Sequence, residues 1–239
     1  MQALQSRRLM VIACGLVGWV SVAFAQQAPA GRGRGAAADA ATRPPLLFKE
    51  DWKLPPHQGP ATDENMRLTP AVVTNGSVVA NDRVALTLYG ESASFIRAAE
   101  HEGRLDLWTG LATTPTAVTL KDKRNYVDLT GLARLRWIVR TTSIQTMYPL
   151  VKLADGILVA GNRGITTDGE FVQVEVVFGG MRWFKVDPMK VVATTEVKTP
   201  DFSKVDEVGM AFLGPNGGHG VAASANLSTV ELYAKAIPR

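Results

Sequence analysis

Residues 125–140 read Asn-Tyr-Val-Asp-Leu-Thr-Gly-Leu-Ala-Arg-Leu-Arg-Trp-Ile-Val-Arg. The stretch begins with turn residues around Gly131 and continues as a run in which apolar and basic side chains alternate. Because successive side chains of a strand point to opposite faces, this alternation predicts a core strand with one buried and one exposed face. The buried set is Leu135, Trp137 and Val139, and the exposed set is Arg134, Arg136 and Arg140, with Ile138 among them.

A degenerate copy of this phrase occurs at residues 201–210, which read Asp-Phe-Ser-Lys-Val-Asp-Glu-Val-Gly-Met. In each copy an aspartate, Asp128 or Asp201, precedes an apolar residue and then a threonine or serine. We expect the carboxylate to cap a tight turn, so that the apolar residues after it alternate into the core. The repeat therefore predicts two turn-plus-strand units within one fold.

The remaining segments are short, rich in strand-forming residues and separated by Gly, Pro and Asn turns. The turn at 154–156, Ala-Asp-Gly, predicts a hairpin. No window of about twelve residues beyond the N-terminal region has a helical period. Strands are predicted at 46–52, 71–74, 77–79, 84–89, 94–98, 105–108, 117–120, 146–153, 157–160, 171–178, 182–186, 205–213 and 229–234, in addition to the turn-plus-strand element at 126–140. The fold class is all-β, a single antiparallel β-sandwich of jelly-roll type over residues 46–239.

The N-terminal region has the pattern of an exported protein. Arg7 and Arg8 precede an uncharged run that ends on Ala23-Phe-Ala, a small-x-small cleavage site. This pattern predicts a signal peptide over residues 1–25. A twin-arginine signal at 6–9 and a lipoprotein box ending on Cys14 remain open as variants. Residues 26–45 are rich in Ala, Gly and Arg and predict a disordered linker.

Removal of residues 1–25 would change the charge and the thiol content. Cys14 is the only cysteine, so the mature chain would have neither disulfides nor thiol chemistry. The formal charge would fall from +4 to +2, because Arg7 and Arg8 leave without an acidic residue. We therefore expect a periplasmic or secreted protein with no nucleic-acid partner and no membrane span after cleavage.

The parity of three strands predicts one polar surface. Six polar side chains lie opposite apolar ones and would share a face if their strands are neighbours. They are Arg136, Arg140, Tyr148, Lys152, Gln173 and Glu175. An aromatic ring among Arg, Lys, Gln and Glu suits a polyhydroxylated ligand, because apolar sugar faces stack on the ring while hydroxyls pair with the charged groups. The alternative is an ordinary solvated sheet face with charges paired across strands.

A glycine-rich loop is a second candidate for ligand contact. Residues 214–220 read Gly-Pro-Asn-Gly-Gly-His-Gly and place Asn216 and His219 among residues that permit close backbone approach. The loop is not a phosphate loop, because neither Lys-Ser/Thr nor a helix follows. The alternative is a long connection with a solvent-exposed histidine.

Catalytic and metal-binding patterns are weak. His57, His101 and His219 have no metal-ligand spacing, and no Gly-x-Ser-x-Gly elbow occurs. Residues 100–102, Glu-His-Glu, could form an acid–base site, although a charged turn is the simpler interpretation. We assign no metal site and no cofactor. One weak alternative is a structural calcium shared by Asp51 and Glu231 if the terminal strands pair.

The two turn-plus-strand phrases resemble galactose-binding-like β-sandwiches, the jelly rolls of many carbohydrate-binding modules and of complex I intermediate-associated proteins. The run Thr-Val-Glu-Leu-Tyr at 229–233 is similar to their last strand. Residues 46–236 also resemble a group of secreted bacterial proteins of unknown function, through the runs at 126–133, 151–156 and 203–209. The resemblance implies a sandwich and a saccharide ligand, and it implies no catalytic residue.

Three functions follow from these patterns. The first is a non-catalytic binding protein that recognises a saccharide on one polar sheet face. The second is a hydrolase or lyase acting on glycosides, which requires Glu100, His101, Glu175 or His219 to converge in one pocket. The third is a structural or assembly protein that binds another polypeptide along a sheet face or edge.

Overall fold

Two antiparallel sheets are formed by the residues that the computed structural model describes, which are 43–54, 71–73, 77–142, 145–214 and 223–239. The first sheet contains β1 (Leu46–Glu50), β2 (Ala71–Val72), β4 (Arg97–His101), β5 (Arg104–Trp108), β8 (Arg134–Thr141), β11 (Val172–Val177) and β15 (Ala225–Tyr233). The second sheet contains β3 (Val84–Tyr89), β6 (Thr116–Asp122), β7 (Asn125–Asp128), β9 (Met147–Leu153), β10 (Leu158–Gly161), β12 (Trp183–Asp187), β13 (Val192–Val197), β14 (Val205–Phe212) and β16 (Lys235–Pro238).

The strand order places distant parts of the chain side by side. The first sheet has the order β11-β8-β15-β5-β4-β2, and β1 pairs with β15. The second sheet has the order β13-β12-β10-β9-β14-β6-β3, and β7 lies between β14 and β16. The prediction of an all-β antiparallel sandwich is confirmed.

The core lies between the inner faces of the two sheets. Leu135, Trp137 and Val139 on β8 are fully buried, as the alternation predicts. From the second sheet, Met210 and Phe212 on β14 pack into the same core. Because side chains alternate along a strand, each strand near the middle has one face toward this core and a second, outer face.

Both predicted turn caps form. Asp128 Oδ1 accepts hydrogen bonds from the Thr130 amide at 2.8 Å and the Thr130 hydroxyl at 2.6 Å. Asp201 Oδ1 accepts the same two bonds from Ser203, at 3.0 and 2.6 Å. The first turn leads into β8 of the first sheet, and the second turn leads into β14 of the second sheet. The repeat thus supplies one interior strand to each sheet.

The 154–156 turn also forms as predicted. It joins β9 and β10, which pair antiparallel, and Gly156 has a φ of 89°. Such a φ favours glycine, because a Cβ would be strained in this backbone conformation.

Several predicted strand boundaries are wrong. Residues 77–79 form no strand, although Val78 and Val79 are buried. Residues 93–95 form a short 3-10 helix before β4, and the sequence did not predict β13 or β16. In β13 no residue is buried, so no apolar alternation exists there to signal a strand.

The N-terminal predictions are not tested by the fold. Residues 1–42, which include the predicted signal peptide and most of the linker, lie outside the described residues. Within the described part of the chain, no helix is long and apolar enough to cross a membrane.

Replacing Gly209 by alanine is expected to destabilise the second sheet by at least about 2 kcal/mol, because overpacking a closely paired strand forces backbone shifts. Gly209 pairs with Thr119 on β6, and an added Cβ would lie 2.6 Å from the Thr119 Cα and against the Val118 carbonyl oxygen. Gly179→Ala is the control, since a Cβ there meets nothing within 4 Å. Urea unfolding measures both; equal free energies of unfolding for the two variants would contradict the packing argument.

Candidate functional site

The predicted polar surface is divided between the two sheets. Arg136 and Arg140 lie on β8 and Glu175 lies on the adjacent β11, where it pairs with Arg136. Gln173 shares the outer face of β11 with Glu175, but Tyr148 and Lys152 lie on β9 in the second sheet. The assumption that all three strands are neighbours is therefore wrong, because alternation fixes the face of a residue within its strand and not the order of the strands.

On the first sheet the charged side chains of β8 pair across strands. Arg136 donates to Glu231 at 3.1 Å, to the Tyr233 hydroxyl at 3.1 Å and to Glu175 at 3.3 Å. The guanidinium of Arg134 lies 4.3 Å from the centre of the Tyr233 ring. This cluster matches the alternative of a solvated face with paired charges.

A second cluster on the same sheet surrounds a buried carboxylate. Asp106 is fully buried, and its Oδ2 lies 2.8 Å from His101 Nδ1 while its Oδ1 accepts from Asn226 Nδ2 at 2.8 Å. Burial raises the pKa of Asp106, although the bonds with His101 and Asn226 act in the opposite direction. The Trp108 ring lies 5.9 Å from the His101 ring. No sequence motif marks Asp106, Trp108 or Asn226, although alternation in β5 places Asp106 and Trp108 on one face.

Of the residues proposed for a glycoside-active enzyme, the three that the structure describes do not converge. His101 on β4 and Glu175 on β11 are separated by β5, β15 and β8 in the strand order. Glu100 precedes His101 in β4 and so points to the opposite side of that strand. Of the charged turn predicted at 100–102, only Glu102 lies in the turn into β5, where it and Gly103 have positive φ, while Glu100 and His101 belong to β4.

The remaining predicted features are the glycine-rich loop, His57 and the calcium site. Asn216, His219 and His57 lie outside the described residues. The terminal strands do pair, but Lys49 lies opposite Glu231 and forms a 2.8 Å ion pair with Asp51. In the described part of the chain no group of three His, Cys, Asp or Glu could hold a metal ion. The calcium hypothesis therefore has no support from this geometry.

A β-bulge in β14 places two consecutive carboxylates on the outer face of the second sheet. The register of β14 against β9 shifts between Val205 and Glu207, and both Val205 and Val208 are buried in the core. The extra residue of a bulge lets two successive side chains point to the same side. Asp206 and Glu207 therefore both face outward.

Glu207 is held by three side chains from three different strands. Its Oε2 accepts from the Tyr89 hydroxyl at 2.7 Å and from the Thr119 hydroxyl at 2.5 Å. Its Oε1 accepts from Lys152 Nζ at 3.0 Å. Burial and the bond to Glu207 raise the pKa of Tyr89 to about 12. Burial alone would lower the pKa of Lys152, but the hydrogen bond and charge of Glu207, together with Tyr89, outweigh it and raise that pKa. Tyr89 and Lys152 thus both stay protonated at neutral pH.

Asp206 is held by two cations. Lys121 Nζ lies 3.0 Å from the carboxylate and Arg239 Nη1 lies 2.7 Å from Oδ1. Burial alone would raise the pKa of Asp206, but the bonds from Lys121 and Arg239 outweigh it and lower that pKa. We call the combined set the bulge site. It consists of Tyr89, Thr119, Lys121, Lys152, Asp206, Glu207 and Arg239.

The β12–β13 turn covers one end of this outer face. Four strands separate β12 from β3, so a flat sheet would hold them about 24 Å apart at about 4.8 Å per strand. Nevertheless the Gly90 amide, directly after β3, donates to the Pro188 carbonyl at 3.1 Å. Val191 of the same turn is fully buried in an apolar cluster with Leu150 and Ala117, against which Tyr89 packs. The turn therefore covers part of the outer face. Tyr89 contacts both this covered apolar cluster and, through its hydroxyl, Glu207 of the bulge site.

Comparisons with known proteins give structural similarities only. No family model and no curated protein matches the sequence. The fold is similar to the family 11 carbohydrate-binding module of a Clostridium thermocellum cellulosomal cellulase, at 8% identity, 65% of this chain, 85% of that chain and a TM-score of 0.39. It is also similar to a family 29 module complexed with cellulohexaose, at 13% identity, 64% of this chain, 94% of that chain and a TM-score of 0.34.

An exo-beta-agarase is similar at 10% identity and a TM-score of 0.35, over 65% of this chain and 23% of the agarase. Carbohydrate-binding modules, which the sequence motifs resemble, are thus among the solved structures similar to this chain. At these identities and TM-scores the similarities say nothing about the ligand. The description of the fold depends on the strand order alone.

Asp206→Asn is expected to lower the free energy of unfolding at neutral pH by on the order of 1–3 kcal/mol, because two charge-assisted bonds lose their anion. Since the folded-state pKa of Asp206 lies below 3.8, the wild-type advantage is complete above that pH and is lost as pH falls through the folded pKa. Urea unfolding between pH 7 and pH 2 measures the difference, with the exposed Asp168→Asn as control. A difference that does not change with pH would contradict the ion-pair account.

Proposed function

We propose that the protein is a non-catalytic, exported binding protein that recognises a saccharide on the outer face of the second sheet, at the bulge site. The observation that carries this proposal is the contact of Tyr89 with both the covered apolar cluster and the Glu207–Lys152 pair. It places an aromatic ring, apolar surface and charged hydrogen-bond donors side by side.

The chemistry of a sugar suits this arrangement. One face of a pyranose ring is formed by C–H groups and packs on an aromatic ring such as that of Tyr89. Its hydroxyl oxygens accept hydrogen bonds from ammonium groups such as those of Lys152 and Lys121. The bulge site therefore offers both kinds of contact that a polyhydroxylated ring requires.

Small side chains form the floor of the face. Thr87, Thr119 and Gly209 lie next to one another on β3, β6 and β14, and their side chains are small. The charged groups around this floor are already fixed by Glu207 and Asp206. A preorganised site binds with a smaller loss of side-chain entropy.

The proposal that the protein is exported rests on the sequence pattern of the N-terminal region. Residues 1–25 have the charge distribution and the closing Ala23-Phe-Ala motif of a signal peptide. A periplasmic or extracellular location would bring the protein to polysaccharides of cell surfaces.

A second candidate function is acid–base catalysis on the first sheet. It is favoured by the contact between His101 and the buried Asp106, since a carboxylate that orients an imidazole is the usual arrangement of a general base. His101→Gln separates the two functions. Loss of any glycan cleavage would support the enzyme, whereas binding without cleavage by the wild-type chain would support the binding protein.

Tyr89→Ala and Lys152→Met are each expected to weaken glycan binding at least about tenfold, because each removes one of the two contact types from the site. A glycan array identifies the ligand, and isothermal titration calorimetry measures the affinity of variants shown to be folded by thermal melting. Gln173→Ala is the control, since this exposed residue lies on the other sheet. Binding that survives both substitutions and is lost in Gln173→Ala would move the site to the first sheet. Binding to no glycan would remove the proposal.

A further inference from the structure

We infer that the saccharide is anionic, an oligosaccharide whose carboxylate or sulfate groups bind the cations of the bulge site. The inference rests on the proposed function and names the ligand class of the same site.

Basic side chains outnumber acidic ones in the bulge site and directly beside it. Lys121 and Arg239 pair with Asp206, and Lys152 pairs with Glu207. Lys204 adds a further positive charge, and its Nζ lies 4.6 Å from the centre of the Tyr126 ring. Four cations against two carboxylates leave a surplus of two positive charges.

The cations are accessible and the carboxylates are not. The side chains of Glu207 and Asp206 are 4% and 12% exposed. Those of Lys121, Lys152 and Arg239 are 33%, 29% and 23% exposed. A ligand on the outer face therefore meets ammonium and guanidinium groups before it meets a carboxylate.

The unused hydrogen-bonding groups of the bulge site also favour an anionic ligand. Both oxygens of Glu207 already accept bonds, from Tyr89, Thr119 and Lys152. An ammonium group has three donors and a guanidinium has five, so the lysines and Arg239 keep donors that these carboxylates do not use. A ligand that binds here must supply acceptors. Carboxylate and sulfate oxygens are the strongest acceptors that a saccharide can carry.

The spacing of the cations suits a chain rather than a single sugar. Lys152 lies on β9 and Lys121 on β6, on opposite sides of β14. Two strand spacings separate them, which is about 10 Å. That distance is wider than one pyranose ring, so two charged residues of an oligosaccharide, rather than a single sugar, would be needed to contact both lysines.

Matched ligands test the inference with the full chain. The probes are hexasaccharides of galacturonate and mannuronate, the same oligosaccharides after reduction of their carboxyl groups, a sulfated galactan and its desulfated form. We expect at least one anionic probe to bind about tenfold or more tighter than its neutral counterpart. We also expect that affinity to fall when NaCl is raised from about 0.05 M to about 0.5 M. The uronate and sulfate arms show which anionic group is bound.

Two cation variants and one control complete the test. Lys121→Met and Lys204→Met are each expected to weaken binding of the anionic probe about threefold to tenfold and to reduce its salt dependence. Lys204 contacts neither carboxylate of the bulge site in the described structure, so its replacement leaves the Asp206 and Glu207 contacts intact. Arg104→Gln, an exposed cation on the first sheet, should bind like the wild type.

The outcomes separate the two proposals. Equal affinity for an anionic probe and its neutral counterpart would overturn the inference and leave saccharide binding standing. Failure to bind any probe or any neutral glycan would overturn the proposed function itself. Equal losses in Lys204→Met and Arg104→Gln would show that the effect is general electrostatics and would also overturn the inference.

Discussion

The candidate site depends on the one-residue bulge between Val205 and Glu207. In a regular strand the side chains of Asp206 and Glu207 would point to opposite faces, and one carboxylate would enter the apolar core. The bulge turns both outward and keeps Val205 and Val208 inside. Two adjacent carboxylates repel each other unless cations lie close by, so the flanking strands must supply positive charge.

Residues far apart in the sequence meet that requirement. Lys152 comes from β9, Lys121 from β6 and Arg239 from the residue after β16. Tyr89 and Thr119 complete the coordination of Glu207 from β3 and β6. The same contacts that neutralise the two carboxylates therefore fix a set of donors on one outer face. The first sheet differs, because Arg134 and Arg136 on β8 are paired with Glu175, Glu231 and Tyr233.

The sequence was sufficient for what alternation and turn chemistry determine. Leu135, Trp137 and Val139 are in the core, and the caps at Asp128 and Asp201 form as their motifs predict. It was insufficient for strand order, which depends on pairing between segments distant in the chain. For that reason alternation alone predicts Lys152 beside Arg136, although the two lie on different sheets. The bulge itself left a signal, since Val-Asp-Glu-Val at 205–208 interrupts the alternation. No sequence pattern identifies Tyr89 and Thr119, because they can donate to Glu207 only when β3, β6 and β14 are neighbours.

The most direct test of the account is a map of the ligand on the folded chain. Backbone amide shifts, recorded by nuclear magnetic resonance during titration with an anionic oligosaccharide that binds, locate the contact surface without any substitution. The account predicts shift changes that concentrate on β3, β6, β9 and β14 around Glu207, with β8 and β11 unaffected. Changes confined to β8 and β11, with none around the bulge, would contradict it.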